Sequence, residues 1–222
     1  MKINKNLQIA AFIINLLIFI MEAYFFIVCI KDSGIGVMEF YTQDSNMLAM
    51  TVSFIFVLTY AIKWTKEREK ARRNGSIFNP QVLRIPGWLT ALRFSATCCL
   101  TLTFAVVVAV LAPMVGGLKG YAFMLFNGNF ICFHFLAPIL SFVSFMFLEN
   151  GQKLTNRSLW AGILPTALYA AVIMILNITR KITGPYPFLH IYEQSLPVTV
   201  FWFIAILGGD VVIAVIIRKI KR

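Results

Sequence analysis

Six apolar runs, each long enough to cross a bilayer, leave this chain few architectures to choose from. A hydrocarbon core takes about 20 apolar residues in a helix, and the runs at roughly 7–30, 44–64, 89–115, 130–148, 159–179 and 198–217 reach that length. With no water in the core to satisfy backbone groups, each run is predicted to be helical. Hydrophobic residues make up 59% of the 222 and charged residues only 13%, so a soluble fold would leave too much apolar surface uncovered. The expected fold class is all-α: a polytopic membrane protein, one domain over residues 1–222, built as a bundle of six transmembrane helices.

A net charge of +11 would suit nucleic acid, but the placement of the basic residues points to a membrane. With the N-terminus cytoplasmic, 15 of the 20 Lys and Arg residues fall in cytoplasmic segments, from Lys2 and Lys5 through Arg72 and Arg73 to Lys221 and Arg222. Only 4 fall in outer loops (Lys31, Lys119, Arg180 and Lys181), and Arg93 lies within a span. That asymmetry is the positive-inside pattern, which predicts an integral membrane protein with cytoplasmic N- and C-termini. Anionic inner-leaflet lipid accounts for the basic loop, and no nucleic-acid partner is expected. The Met1–Lys5 segment before the first run imitates a signal peptide, but no small-x-small site follows it, so the run is read as the first helix.

Cys29, Cys98, Cys99 and Cys132 read as small hydrophobes of the bundle; Cys29 and Cys132 share a depth that permits a disulfide without requiring one. His134 and His190 have no metal-ligand spacing, so neither a metal nor another cofactor is expected. The loop from Thr65 to Trp88 begins as a charged helical extension and breaks at Asn74-Gly75, Pro80 and Pro86.

Ionisable residues inside spans are costly and usually face the bundle interior. Here they are Glu22, Arg93, His134 and Asp210. Span directions put Arg93 and Asp210 in the inner half, where an ion pair would fix how spans three and six pack. Glu22 and His134 fall near the outer side. Glu22 shares a stripe with Asn15 and Cys29, and reads either as a protonated carboxyl bonded to a neighbouring helix or as a group that acts on His134.

Just before the second run stands Phe40-Tyr41-Thr42-Gln43-Asp44-Ser45-Asn46. If the helix already includes Thr42, then Thr42, Ser45, Asn46, Ala49 and Ser53 share one small polar face, suited to helix packing. His134, Pro138, Ser141 and Phe145 share a face of span four. A threonine hydroxyl needs a base within hydrogen-bond reach, and neutral imidazole fills that role best near pH 7. Oxyanion donors are available from Asn46, Asn127, Asn129 and the first N–H groups of span two. Glu22 or Asp44 could orient the imidazole. The plainer reading makes Thr42, Asp44 or Ser45 the N-cap of span two and His134 an interhelical hydrogen-bonding residue.

Three segments, in order, resemble the androgen-induced and androgen-dependent TFPI-regulating membrane proteins and their bacterial six-helix relatives. They are Met38–Thr42 followed by Ser45-Asn46, then Asn129 to Pro138 around His134, then Ile182–His190 with its Tyr186-Pro187-Phe188-Leu189. Leu92-Arg93 and Leu207-Gly208-Gly209-Asp210 are weaker echoes. The resemblance implies an intramembrane hydrolase of fatty acid esters, such as esters of hydroxy fatty acids, with Thr42 as nucleophile and His134 as base. Its partners would be membrane lipids or a lipid ester substrate. Asp44, Ser45, Asn46, Asn127, Asn129, Tyr186, His190 and Glu22 are the expected supporting or substrate-binding residues. The Gln43–Asn46 segment is more polar than in the animal members, which leaves the substrate open. The Tyr186–Leu189 loop is expected to cover the outer opening or to anchor span six. The competing class is a small transporter or lipid-binding protein with Glu22, Arg93, His134 and Asp210 along a path.

Overall fold

The computed structural model describes residues 5–78 and 83–221; Lys2, Pro80 and Arg222 lie outside the described residues. Seven helices follow one another: α1 (Lys5–Ser33), α2 (Tyr41–Arg73), α3 (Gly87–Gly116), α4 (Leu118–Phe126), α5 (Ile131–Leu148), α6 (Ser158–Ile178) and α7 (Leu196–Ile220). Six of them, all but α4, are long and apolar enough to cross a membrane. No strand occurs among the described residues.

Helix α3 is the axis of the bundle. Every residue from Arg93 to Leu100 is buried, and α2, α5, α6 and α7 all pack against it. A helix covered all round belongs to an interior. By contrast α1, α6 and α7 expose apolar rows, among them Ile13, Leu17 and Ile20, then Leu164, Leu168 and Val172. Such surface suits contact with lipid.

Helix α2 starts at Tyr41, earlier than the apolar run indicates, and continues to Arg73 through the charged extension. It stops at Asn74-Gly75, where Gly75 takes φ 61, a left-handed value that suits glycine at a helix end. Helix α4 was expected to be loop: Gly116, Gly117 and Gly120 mark breaks, yet the residues between Leu118 and Phe126 are apolar enough to fold back against α3. Gly120 allows that return, because a Cβ there would stand 1.9 Å from the carbonyl oxygen of Ala112.

The expected Arg93–Asp210 ion pair does not form. Arg93 instead meets Glu149, with Nη2 2.7 Å and Nε 2.9 Å from Oε1, and both side chains are 0% exposed. The chain leaves α5 at Leu148 in an extended conformation, which turns the Glu149 carboxylate back into the bundle. Ser144 donates to it at 2.8 Å and Asn15 at 3.3 Å, Ser53 accepts from Arg93 at 3.3 Å, and Lys221 donates to the Glu149 carbonyl at 3.0 Å. The carboxylate thus ties α1, α3 and α5 together, Arg93 extends the network to α2, and the Glu149 carbonyl joins it to the residue that follows α7. Burial alone would raise the Glu149 carboxyl, but the Arg93 guanidinium outweighs it and holds the group below the usual carboxylate range.

Two prolines inside spans have widened turns beside them. Residues Val107–Leu111 of α3 and Ile131–Leu136 of α5 are π-helical, ahead of Pro113 and Pro138. A proline ring clashes with the carbonyl one turn before it and gives no N–H, and a π-turn relieves that clash. The second of these turns carries His134.

Candidate active site

Thr42 is the second residue of α2, and Phe40 is its N-cap, with no side-chain capping bond. The capping reading of Thr42, Asp44 and Ser45 is therefore overturned: Gln43 and Asp44 both donate their N–H groups to the Phe40 carbonyl, and Ser45 donates to the Thr42 carbonyl at 3.0 Å. The Thr42 hydroxyl is left for other work. The inward face expected for Thr42, Ser45, Asn46, Ala49 and Ser53 is as anticipated, since all five are buried.

What that hydroxyl meets is Tyr186. The Tyr186 phenol oxygen lies 3.4 Å from Thr42 Oγ1 and accepts the Thr42 N–H at 3.2 Å. Tyr186 sits in the loop between α6 and α7, stacked on Phe188 at 5.1 Å and met edge-on by Phe40. Asn177 clamps the loop by donating to the carbonyls of Thr183 and Leu189, at 2.9 and 2.6 Å. His190 adds bonds to Gly184 at 3.2 Å and Glu193 at 3.0 Å. Burial pushes the Tyr186 phenol above its ordinary value, so it keeps its proton at neutral pH.

Thr42, Tyr186 and Phe188 line a cavity of about 60 Å³ between α2, α3, α6 and α7. Trp202 lines it beside Phe188. The wall is almost wholly apolar because its hydroxyls bond to one another or to close neighbours: Tyr41 to Thr166 at 2.8 Å and Thr103 to Ser45 at 2.9 Å. The loop therefore contributes part of the cavity wall in addition to leading into α7.

His134 is 5% exposed, stacked flat on Phe130 at 5.1 Å, and does not line the cavity. Its Nδ1 bonds to the Met124 carbonyl at 2.8 Å. A carbonyl only accepts, so Nδ1 carries the proton and neutral imidazole keeps its lone pair on Nε2. No hydrogen bond joins Thr42 to His134 among the described residues. Their segments are nevertheless tied by one side chain: Asn46 Nδ2 donates to the Thr42 carbonyl at 2.7 Å and to the Phe133 carbonyl at 3.3 Å.

The other expected residues divide. Asn46 and Ser45 belong to the scaffold of Thr42, and Tyr186 and His190 to the covering loop. Neither Glu22 nor Asp44 orients the imidazole, because the Met124 carbonyl holds it. Glu22 is buried with Oε1 lacking a hydrogen-bond partner among the described residues. Asn127 is exposed, and Asn129 donates to Cys29 Sγ at 3.5 Å. Asp210 is 0% exposed, and neither carboxyl oxygen has a hydrogen-bond partner among the described residues. All four cysteines are free thiols. The loop's reach back to Thr42, across 144 positions, had no signal in local spacing; only the resemblance marked Tyr186.

No protein-family model, curated protein or solved structure matches the chain, so the site is read from its own residues.

Proposed function

We propose that this chain is an intramembrane hydrolase that cleaves fatty acid esters, such as esters of hydroxy fatty acids. Thr42 is the nucleophile and His134 the base. The observation that carries this reading is the setting of Thr42: an uncapped, buried hydroxyl on the wall of an apolar cavity inside a membrane-type bundle. Apolar walls suit an acyl chain, and a few polar groups fix the reacting end. The tautomer of His134, with its lone pair at Nε2, is the one a general base needs. Catalytic hydrogen bonds often tighten only when substrate binds, and the Asn46 tie holds the two segments side by side for that step. Binding also has to widen the cavity, because about 60 Å³ is far below the several hundred Å³ of a typical ligand pocket. The resemblance of Met38–Asn46, Asn129–Pro138 and Ile182–His190 to the androgen-induced membrane protein family points to the same chemistry. The charge asymmetry of the loops supports an outer-leaflet position for the site.

The test is turnover by purified protein in detergent or nanodiscs on a panel of fatty acid esters. Thr42→Ala is expected to remove activity and His134→Ala to lower it by about 10²–10⁴-fold, both with unchanged elution on size exclusion. Normal turnover in either variant would end the mechanism.

The buried, unbonded carboxyl of Asp210 favours a second reading, a transporter or lipid-binding protein in which this group holds a proton or a ligand. Under that reading Asp210→Asn abolishes flux or binding in proteoliposomes while Thr42→Ala leaves it intact.

A further inference from the structure

A threonine nucleophile is of little use unless the charge that develops on the carbonyl oxygen has donors aimed at it. The asparagines near Thr42 do not supply them. Asn46 Nδ2 is occupied by two carbonyls, Asn129 faces Cys29, and Asn127 is exposed. Two donors do meet at Thr42, its own N–H and the Tyr186 O–H, and they converge on one spot. The phenol oxygen is 3.2 Å from the Thr42 nitrogen and 3.4 Å from Oγ1. Both contacts are at the long end for hydrogen bonds, so an incoming oxygen displaces them at little cost.

Resting on the hydrolase reading, we infer that Tyr186 is a catalytic residue: its hydroxyl and the Thr42 backbone N–H form the oxyanion hole for an ester carbonyl under attack by Thr42. In the first step the Thr42 oxygen bonds to the carbonyl carbon, and the carbonyl π pair moves onto its oxygen. The hydroxyl proton passes to the His134 imidazole. The oxyanion, one bond removed from the carbon that Oγ1 has joined, lies within reach of both donors. Collapse re-forms the carbonyl, breaks the ester C–O bond and leaves an acyl-threonine, while the departing alkoxide takes the proton from His134. Water repeats the sequence and releases the fatty acid.

The surroundings of the phenol fit a donor. Phe188 and Phe40 fix its ring. Asn177 fixes the loop that carries it, and the hydroxyl is its only polar atom. Since the phenol accepts the Thr42 N–H, its own proton is directed elsewhere, and Oγ1 is the acceptor in reach. The high proton affinity given by burial keeps it a donor at neutral pH. The same loop lines the cavity through Tyr186, Phe188 and Leu189, so one segment carries both the phenol and part of the apolar wall.

The experiment compares wild type, Thr42→Ala and Tyr186→Phe on p-nitrophenyl octanoate, together with binding of an octyl trifluoromethyl ketone. That ketone adds a nucleophilic hydroxyl to give a tetrahedral oxyanion. Tyr186→Phe is expected to lower kcat by about 10²–10³-fold with KM within a few-fold, and to weaken the ketone while leaving octanoate binding unchanged. A kcat within threefold of wild type, with Thr42→Ala inactive, overturns the role of Tyr186 and leaves the hydrolase standing. A change confined to KM reduces Tyr186 to a lid residue and overturns it as well. Wild type that neither turns over ester nor binds the ketone overturns the hydrolase reading itself, and this inference with it. Should Tyr186→Phe aggregate, 3-fluorotyrosine at position 186 keeps ring and hydroxyl but ionises more readily. The alkaline limb of kcat is then expected at lower pH, and an unmoved limb overturns the proposal.

Discussion

Removing the Glu149 carboxylate strands Arg93 as an uncompensated cation in a dry interior. Truncating one partner of such a buried pair typically costs about 3–5 kcal/mol, so Glu149→Ala is expected to lower the unfolding midpoint in detergent far more than Glu193→Ala, whose side chain is largely exposed. The pair also sets an acid limit. Because the folded carboxyl is held below its ordinary value, its stabilisation is present above the ordinary carboxylate range and is lost as pH falls through the depressed folded value. Thermal unfolding against pH is expected to show an acid limb that Glu149→Gln flattens; an identical limb in that variant would refute the assignment. Sequence gave Arg93 its inward position but not its partner. Glu149 lies just past an apolar run, where a carboxylate ordinarily reads as solvated, and only the extended residue after Leu148 returns it to the bundle. Asp210 was the match expected from depth, yet no ion pair joins it to Arg93 among the described residues.

At the scale of elements, the loop between α6 and α7 depends on one conformation. Gly184 has φ 100, and a Cβ there would stand 2.8 Å from Asn177 Nδ2 and 3.1 Å from the Leu189 carbonyl. Gly184→Ala is expected to break the Asn177 clamp. Protease cleavage and hydrogen exchange over residues 179–195 should rise strongly, with little change in the spans; unchanged protection would mean the clamp does not hold the loop. The face of α2 was legible from three- and four-residue spacing. The start of α2 was legible only in part, because a backbone cap at Phe40 leaves no side-chain signature. Helix α4 was illegible for a related reason: glycines that usually announce a loop here permit a close helix return.

For the whole molecule, hydropathy was sufficient to find six spans, since the bilayer requirement acts on each segment separately. What joins the spans is long-range and leaves no local trace, as with Tyr186 on Thr42 or Asn46 on Phe133. The charge asymmetry makes a separate prediction of orientation. In intact cells an impermeant maleimide is expected to label a cysteine placed at Gln194 but not one placed at Ser76. The reverse pattern would invert the protein and move the Thr42 end to the cytoplasmic leaflet.

Helix α2 runs unbroken from its first turn, where Thr42 stands, to its basic last turn at Arg73. At 1.5 Å per residue those two points are about 45 Å apart, well over the roughly 30 Å of a hydrocarbon core. The helix is thus a rod with Thr42 at one end and, at the other, a charged tail that a hydrocarbon core of that thickness does not need. A rod has no joint to absorb a tilt. Whatever tilts its charged tail, whether a crowd of anionic headgroups or a docking protein, is expected to tilt the turn that holds Thr42 against Tyr186 as well, so under the proposed function the two ends of this helix are mechanically coupled.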